Sequence, residues 1–267
     1  MAKLKLAVIG KDVSKSLSPQ MHSFIAKQSG NVIEYEKISV AEPEFEDKAD
    51  KILKEYDGFN VTIPYKIKIM EKLDYVSGDA KVFGAVNCVL SKDKSGYNTD
   101  GQGFMLMLKN ENINVIGKKV LVLGAGGAGR SVAKKLYDEG ACVFIYDRRY
   151  ENAKAVSQEF NLTALQKIEN ESYFAIVNAT GVGMHDTEGI SPVGLDLLNL
   201  CEVAVDLIYT PKKSKFLAIA EECGKKIING EAMLFYQAYF AECIYFATQP
   251  DFAQAKLLFD KFREETL

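Results

Sequence analysis

The chain has few of the residues that build metal centres or disulfide frameworks. Tryptophan is absent, and the only two histidines, His22 and His185, lie far apart. A zinc site would need a carboxylate or thiolate arrangement that the sequence does not offer, so metal catalysis is not expected. The five cysteines are odd in number, widely spaced and without a C-x-x-C pair, which is typical of a reducing compartment. We predict buried thiols at Cys88, Cys142, Cys201, Cys223 and Cys243.

An excess of basic charge and a long apolar run are also missing. The chain has 33 Lys and Arg against 36 Asp and Glu, a net charge of -3, and its basic residues are spread along the sequence. Such a balance gives no continuous surface for a nucleic-acid backbone. The apolar run at the start is too short for a signal peptide, and no later stretch approaches the roughly 18 apolar residues of a membrane span. We therefore expect a cytoplasmic protein that binds neither nucleic acid nor membrane.

The remaining composition predicts a folded chain with two domains. Hydrophobic residues make up 48% of the 267 positions, and this length exceeds the size at which one core stops growing. From Leu4 onward, short apolar runs typical of strands alternate with segments whose apolar residues have helical spacing. This alternation favours parallel sheets. Ser18 and Pro19 are predicted to be the N-cap and the first residue of a helix. Ser95 and Gly96 are predicted to form a turn.

A glycine-rich segment in the middle of the chain predicts a phosphate-binding loop. Gly124, Gly126 and Gly129 form G-x-G-x-x-G directly after the run VLVL and before a helical pattern. In this context the first glycine permits the turn, the second lets a pyrophosphate approach the backbone, and the third lets helix and strand pack closely. Helix N–H groups would face the phosphate anion. A glycine-rich turn without a ligand is the less favoured interpretation.

The end of the next predicted strand gives opposing indications about the cofactor. Asp147 lies near the spacing at which an acidic residue binds the adenosine ribose hydroxyls, which favours NAD. Arg148 and Arg149 follow directly, and adjacent guanidinium groups suit the extra 2′-phosphate of NADP. A solvated turn is the alternative interpretation of the two arginines.

Polar side chains in the first half of the chain predict a substrate site. Ser16 and Ser18 lie beside a helix N-terminus, where N–H donors and the helix dipole favour a carboxylate. Lys66 follows a predicted strand and can donate a proton to a carbonyl oxygen as hydride arrives, or accept one in reverse. The alternative is a solvated lysine. Asp100 can orient that ammonium group or cap the following helix, and both roles can coexist.

Eight short motifs occur in the order found in one known family. They are SLSP, NVTIPYK, GAVNC, YNTDGQGF, GAGGAGR, NATGVGM, DLIYTP and GEAMLFYQA, and they cover nearly the whole chain. The chain therefore resembles the shikimate dehydrogenases. This resemblance implies reversible, NADPH-dependent reduction of a small-molecule substrate, 3-dehydroshikimate, to shikimate, in the pathway to chorismate and the aromatic amino acids.

The resemblance also implies an α/β fold with two domains. We expect an N-terminal α/β substrate domain formed by residues 1–101 plus 238–267, and a Rossmann-type, doubly wound dinucleotide-binding domain formed by residues 102–237. The C-terminal helices would pack back on the first domain. The sequence leaves open whether the chain is a monomer or a homodimer.

The family's functional residues carry over onto matching positions. Lys66 and Asp100 would form the catalytic pair, and Ser16 and Ser18 would hold the substrate carboxylate. The residues implied to contact the carboxylate or ring hydroxyls are Thr62, Asn87, Tyr209 and Gln237. Those implied to hold NADP are Gly124, Ala125, Gly126, Gly127, Ala128, Gly129, Asp147, Arg148 and Arg149, with backbone near Leu207 and Gly230 closing over the nicotinamide.

Three departures from the family pattern affect these expectations. Cys88 stands where many members have threonine, and Lys15 stands where histidine is usual. Asp147 and Arg149 replace the usual asparagine and threonine. A carboxylate near a phosphate dianion is repulsive, whereas two arginines attract it, so NAD use stays open beside NADP. The nearest alternative function is a quinate or dual quinate/shikimate dehydrogenase, and a more remote one is a dinucleotide-binding protein without catalysis.

Overall fold

The computed structural model describes residues 3–266. The chain divides into two compact units, the first made of residues 1–106 with 235–267 and the second of residues 107–234. Each boundary falls inside a helix, α4 (Asp100–Asn110) at the first crossing and α9 (Glu231–Tyr245) at the second. The first unit is thus built from both ends of the chain, and the second from its middle.

The first unit contains a mixed sheet of six strands. They are β1 (Leu4–Gly10), β2 (Ile33–Ser39), β3 (Gly58–Val61), β4 (Tyr75–Val76), β5 (Cys88–Leu90) and β6 (Ser95–Tyr97), in the spatial order β2-β1-β3-β5-β6-β4. β1 pairs in parallel with β2 and β3, whereas β5 runs antiparallel to both β3 and β6. The expectation of a parallel sheet is therefore wrong for this part of the unit, because the short connection from β5 to β6 permits only an antiparallel hairpin.

The turn of this hairpin lies just before Ser95 and Gly96, where it was predicted. Residues 91–94 form it, and Lys94 has a positive φ of 45°. Gly96 lies within β6, where an added Cβ would collide with the side chains of Leu73 and Val86. This glycine serves close packing rather than a turn, and a strand glycine cannot be told from a turn glycine by sequence alone.

Helices cover both faces of this sheet. They are α1 (Ser18–Gln28), α2 (Phe45–Glu55), α3 (Gly78–Phe83), α4, α9 and α10 (Phe252–Thr266), with 3-10 turns at Glu42–Glu44 and Lys68–Lys72. On one face Ala7 and Ile9 of β1 pack in a core with Phe45 of α2, and on the other Leu6 packs with Ala241 of α9. Because both faces of β1 are buried from Leu6 onward, the sequence from Leu6 to Ile9 is an unbroken apolar run.

The C-terminal helices pack on the first unit, as predicted. α10 lies against α1, and the rings of Phe24 and Phe262 meet edge to face with centroids 5.3 Å apart. Phe235 of α9 packs on Phe259 of α10 at 5.4 Å. Phe24, Phe235, Phe259 and Phe262 thus form an aromatic cluster that joins α1, α9 and α10.

The start of α1 differs from the prediction. Its N-cap is Leu17, and Ser18 is its first helical residue, so Ser18 is not the cap. The backbone N–H of Ser18 donates to the Ser16 hydroxyl at 3.2 Å, so Ser16 satisfies an orphan donor of the first turn. The Ser18 hydroxyl remains available for contacts outside the helix.

The second unit is a doubly wound α/β domain, which confirms the predicted fold class. Its strands are β7 (Lys119–Leu123), β8 (Cys142–Tyr146), β9 (Thr163–Leu165), β10 (Tyr173–Asn178), β11 (Cys201–Asp206) and β12 (Lys226–Ile228). Its helices are α5 (Gly127–Asp138), α6 (Tyr150–Phe160), α7 (Leu195–Leu198) and α8 (Lys215–Glu222), with a 3-10 turn at His185–Thr187. All pairings are parallel in the order β12-β11-β10-β7-β8-β9, which reverses between β7 and β10. Such a switch point is where α/β sheets bind ligands.

All five cysteines are free thiols, but two are not buried as predicted. Cys88, Cys201 and Cys243 are buried, Cys142 is exposed and Cys223 is half-buried. Cys142 is the first residue of β8, where the side chains alternate between buried and more exposed positions.

In residues 3–266 there is no helix with the length and apolar character needed to span a membrane.

Candidate active site

Strand direction brings the predicted substrate residues of the first unit to one edge of its sheet. β1 and β3 are parallel, so the loop carrying Ser16 and the segment carrying Thr62 leave the same edge. β5 runs the other way and begins there, which places Asn87 beside the end of β3, where its carbonyl accepts from Val61 N at 2.9 Å. β6 ends at that edge and leads into Asp100. The topology thus concentrates polar side chains at the edge where the apolar strands stop.

Lys66 and Asp100 form a largely buried ion pair at this edge. Lys66 Nζ lies 2.5 Å from Asp100 Oδ2, with side chains 14% and 7% exposed. The second carboxylate oxygen accepts from Asn87 Nδ2 at 2.8 Å. Asp100 begins α4, and its two carboxylate oxygens are directed at Lys66 and Asn87 rather than at the helix N–H groups. Of the two roles that the sequence left open, the geometry favours orientation of the ammonium group.

Asn87 connects this pair to two further polar residues. Its Nδ2 donates to Thr99 Oγ1 at 3.0 Å and lies 3.3 Å from Gln237 Oε1 of α9, while its Oδ1 accepts from Thr99 N at 2.9 Å. Asn87 is 2% exposed and Gln237 8%. Thr99 was missed as a site residue, although it stands in the motif YNTDGQGF beside Asp100. A buried amide with these partners holds its neighbours in fixed positions.

The two serines belong to a second hydrogen-bonded chain. The Ser16 hydroxyl donates to the Ser18 hydroxyl at 3.1 Å. The Ser18 hydroxyl lies near the phenol of Tyr35 and acts to lower its pKa, which burial raises. Tyr35 donates to Asn60 Oδ1 at 2.8 Å, and Asn60 Nδ2 donates to the Asn87 carbonyl at 3.1 Å. Tyr35 was missed, because on β2 it looks like an ordinary strand tyrosine. Lys15 lies exposed in the same loop.

The glycines of the second unit meet three different requirements. Gly124 follows β7 with a φ of 101°, and Gly129 packs so closely that a Cβ would collide with the Gly124 carbonyl oxygen. A Cβ at Gly126 would meet no heavy atom within 4 Å. Gly126 is the N-cap of α5, so this open space lies at the helix end where the first-turn N–H groups lack intrahelical partners. The loop therefore fits a phosphate group that approaches the backbone at Gly126.

Asp147 is anchored to this loop by its own carboxylate. Oδ2 accepts from Ala125 N at 2.9 Å, and Oδ1 accepts from Arg149 N at 2.9 Å and from Asn152 Nδ2 at 3.3 Å. Ala125 N–H therefore points at Asp147. The Arg148 and Arg149 side chains are exposed. Asp147 thus connects the end of β8 to the phosphate loop, and the two cationic residues Arg148 and Arg149 follow it directly.

Leu207, Tyr209 and Gly230 lie together at the carboxyl ends of β11 and β12. Gly230 N donates to the Ile208 carbonyl at 3.1 Å, and a Cβ at Gly230 would collide with the Leu207 backbone. Tyr209 is half-buried on the loop after β11, in the second unit, whereas the other predicted substrate residues belong to the first. Burial raises the pKa of its phenol.

Asp206, which the sequence analysis did not select, fixes this loop. It is fully buried at the end of β11, where Oδ2 accepts from Ser214 Oγ at 2.5 Å and Oδ1 from Ile208 N and Asn178 Nδ2 at 3.0 Å each. Burial raises its pKa to about 6, against the opposing effect of these hydrogen bonds. The motif DLIYTP contained the signal, since an acidic residue that ends a buried strand needs partners.

Comparison with known proteins decides the family. A family model of the shikimate dehydrogenase substrate binding domain matches residues 8–89, and a shikimate / quinate 5-dehydrogenase model matches residues 107–187. The chain is 37% identical over 266 residues to a shikimate dehydrogenase (NADP(+)) of Clostridium perfringens, covering 96% of this chain and 97% of that one. The chain belongs to the shikimate dehydrogenase family.

Solved structures of family members have the same fold. Shikimate dehydrogenase 1 of Peptoclostridium difficile superposes with a TM-score of 0.91 at 31% identity, covering 99% of both chains. Shikimate 5-dehydrogenase of Thermus thermophilus, solved in complex with NADP(H) and shikimate, gives 0.87 at 35% identity, covering 97% of this chain and 99% of that one. The similarity extends over both units.

The geometry of Gly126 predicts that a substitution at this position weakens NADPH binding without destabilising the fold. Gly126 has φ and ψ of -75° and -176°, which alanine adopts without strain, and its Cβ site is empty space. We expect Gly126→Ala to change the free energy of unfolding by less than about 1 kcal/mol. We also expect it to raise the Kd for NADPH at least about tenfold, because the methyl group occupies the phosphate approach. Fluorescence titration with NADPH and urea unfolding measure the two effects. Gly129→Ala is the contrast, since it should lower stability sharply, and unchanged NADPH affinity in Gly126→Ala would contradict the assignment of the loop.

Asp206 predicts a specific pH dependence of stability. Because the folded state raises this pKa above its reference value of 3.8 to about 6, the contribution of the protonated carboxyl to stability is fully present below about pH 4 and is lost as pH rises through about 6. Relative to Asp206→Asn, which does not titrate, the wild type should lose roughly 2 to 3 kcal/mol between about pH 4 and pH 7. Urea unfolding across this range measures the difference. Asp260→Asn, at an exposed position of α10, serves as the control, and parallel curves for the wild type and Asp206→Asn would contradict the raised pKa.

Proposed function

We propose that the protein catalyses the reversible, NADP(H)-dependent reduction of 3-dehydroshikimate to shikimate, in the pathway to chorismate and the aromatic amino acids. The observation that carries the proposal is the buried Lys66–Asp100 pair at the polar edge of the first unit, in a chain whose family has this activity by name. A protein that had lost catalysis would have no reason to keep an ammonium group and a carboxylate together in a largely buried setting, because desolvation makes such pairs costly.

The second unit supplies the residues that suit the cofactor. We assign the pyrophosphate to the loop from Gly124 to Gly129, where Gly126 leaves space and the first turn of α5 offers N–H donors. Arg148 and Arg149 suit a 2′-phosphate, and backbone near Leu207 and Gly230 would border the nicotinamide. When bound, NADPH supplies the hydride.

The first unit supplies the residues that suit the substrate. We assign the substrate carboxylate to the hydroxyls of Ser16 and Ser18, and the ring hydroxyls and carboxylate to a set of neutral polar side chains. These are Thr62, Asn87 and Gln237, together with Tyr209 from the second unit. A buried site that hydrogen-bonds several hydroxyls discriminates strongly against analogues that lack them.

Lys66 is assigned the proton transfer. Its ammonium group donates a proton to the carbonyl oxygen at C3 as that carbon is reduced, and in the reverse direction Lys66 accepts the hydroxyl proton. Asp100 holds the ammonium group in place through Oδ2, while Asn87 fixes the carboxylate through Oδ1.

Loss of Lys66 should abolish most of the turnover while leaving cofactor binding intact. We expect Lys66→Met to lower kcat for shikimate oxidation by a factor of about 1,000, since general acid–base groups contribute factors of about 100 to 10,000. Initial rates of NADPH formation at 340 nm measure the effect, and an NADPH titration shows that the variant is folded. Lys68→Ala is the matched control, because this neighbouring lysine pairs with Glu46 at 2.9 Å outside the proposed site. Unchanged kcat in Lys66→Met would refute the assignment, and NADPH binding without turnover by the wild type would favour a non-catalytic protein.

The second candidate is a quinate/shikimate dehydrogenase that uses NAD, and Asp147 is the observation that favours it. The carboxylate of Asp147 is held by backbone N–H groups, so its negative charge is fixed near the proposed ribose site. Arg148 and Arg149 place two positive charges beside it, and we expect them to outweigh the single carboxylate. NADP and shikimate are therefore the preferred pair in our proposal.

Neutralising Asp147 should strengthen this preference. We expect Asp147→Asn to raise the ratio of kcat/KM for NADP over NAD about tenfold, because it removes one like charge near the phosphate dianion while an amide oxygen can still accept from Ala125 N. Rates with shikimate or quinate and NADP or NAD, for the wild type and the variant, measure the ratio. Asp138→Asn, on the same unit at the far end of α5, is the control. A wild-type preference for quinate or NAD would support the second candidate.

We further propose that the protein acts in the cytoplasm, which its five free thiols support. Cell fractionation tests this, and recovery from an oxidising compartment would contradict it.

A further inference from the structure

A buried histidine–glutamate pair lies outside the proposed catalytic machinery. His22 of α1 and Glu242 of α9 meet with Nδ1 and Oε1 2.6 Å apart, and their side chains are 0% and 5% exposed. The two residues are 220 positions apart in sequence. They therefore form a polar link between a helix from the start of the chain and a helix from its end.

The His22–Glu242 pair is an inefficient way to stabilise the fold. His22 Nε2 and Glu242 Oε2 are both buried and have no hydrogen-bond partner among the described residues. Polar atoms left in this state cost free energy, and buried ion pairs can often be replaced by apolar residues of similar volume without loss of stability. The presence of the pair thus points to a role in fixing a geometry rather than in holding the fold together.

The geometry that it fixes is that of the Ser18 hydroxyl. The His22 ring stacks on the ring of Tyr35, with centroids 4.5 Å apart and planes inclined by 22°. The phenol of Tyr35 lies near the Ser18 hydroxyl, which acts to lower its pKa, and it donates to Asn60 Oδ1. Ser18 lies four residues before His22, so both side chains face the same side of α1. The orientation of the His22 ring therefore decides where Tyr35, and through it Ser18, can lie.

Glu242 sets that ring orientation from α9, the helix that also carries Gln237. Its hydrogen bond holds His22 Nδ1, while Tyr245, one turn further along the helix face, donates to the same Asn60 oxygen as Tyr35 at 3.1 Å. The serine loop and Gln237 are thus linked through α1 and α9 by side chains rather than by shared backbone. A shift of one helix relative to the other would separate the groups assigned to the substrate.

We propose that His22 and Glu242 are positioning residues for substrate recognition, which set Ser18 relative to Gln237 through Tyr35. The inference rests on the proposed function, because it takes Ser16 and Ser18 as the groups that hold the substrate carboxylate. The hydrogen bonds of His22 and Glu242 go to each other, whereas Lys66 and Asp100 pair with one another and with Asn87. The pair reaches Asp100 only indirectly, through Tyr35, Asn60 and the Asn87 carbonyl, and should therefore raise the KM for shikimate much more than it lowers kcat.

Three variants separate positioning from stability. Glu242→Leu leaves His22 with both ring nitrogens unpaired, and we expect a lower Tm and a KM for shikimate about tenfold higher. His22→Leu/Glu242→Leu removes the whole pair, so Tm should recover while the KM for shikimate stays raised. Glu242→Gln keeps an acceptor for Nδ1 and should hold the KM within about twofold of the wild type. In all three, kcat and the KM for NADP should change little.

Two further variants complete the test. Tyr35→Phe keeps the ring stack but removes the hydroxyl near Ser18 and its hydrogen bond to Asn60 Oδ1, to which Tyr245 still donates. It should raise the KM for shikimate and lower Tm no more than Tyr239→Phe does. Tyr239→Phe, on the same helix, removes the hydrogen bond from Asp251 N at 3.0 Å, and should lower Tm without changing that KM. Recovery of the KM together with Tm in the double variant would overturn the proposal, as would an unchanged KM in Tyr35→Phe. If the wild type does not turn over shikimate, the proposed function fails separately. Calorimetric titration of the same variants with shikimate then tests the positioning, and a wild type that does not bind shikimate overturns it as well.

Discussion

The buried amide of Asn87 is the point on which the geometry of the first unit depends. Its carbonyl accepts from the end of β3, its side-chain oxygen accepts from Thr99, and its side-chain nitrogen donates to Asp100. A buried polar group that loses a partner costs the full desolvation of that group, so these elements cannot move independently. The positions of Asp100 and Lys66 therefore depend on the hydrogen bonds of a single side chain, that of Asn87.

The second unit uses two carboxylates in a similar way. Asp147 holds the phosphate loop against the end of β8, and Asp206 holds the loop after β11 against the end of β10. Both stand at the carboxyl ends of parallel strands, where regular backbone pairing stops and free N–H groups need acceptors. Bonding them to a fixed carboxylate orders loops that would otherwise be mobile, and ordered loops are what a dinucleotide site requires.

Fold and site differ in how far they follow from local sequence. The phosphate loop was predicted correctly as a strand–turn–helix segment because the glycine spacing reflects contacts within about six residues, such as that between Gly124 and Gly129. The β5–β6 hairpin was misplaced because Gly96 is required by Leu73 and Val86, which contact it from elsewhere in the chain. Cys142 was expected to be buried, but its position at the start of a strand leaves it exposed. The hairpin error thus arose from distant contacts of Gly96, whereas the Cys142 error arose from the local position of this residue in β8.

The alternation of strands and helices, the dinucleotide motif and the family can all be recognised in the amino-acid sequence, because they depend on periodicity and on short ordered motifs. Which polar residues act together is visible only in the folded chain. Tyr35 carries no mark in the sequence that links it to Ser18, and Asp206 carries none that links it to Ser214. Such links are formed by strand order and helix packing, which bring together groups far apart along the chain, and by the need of every buried polar group for a partner.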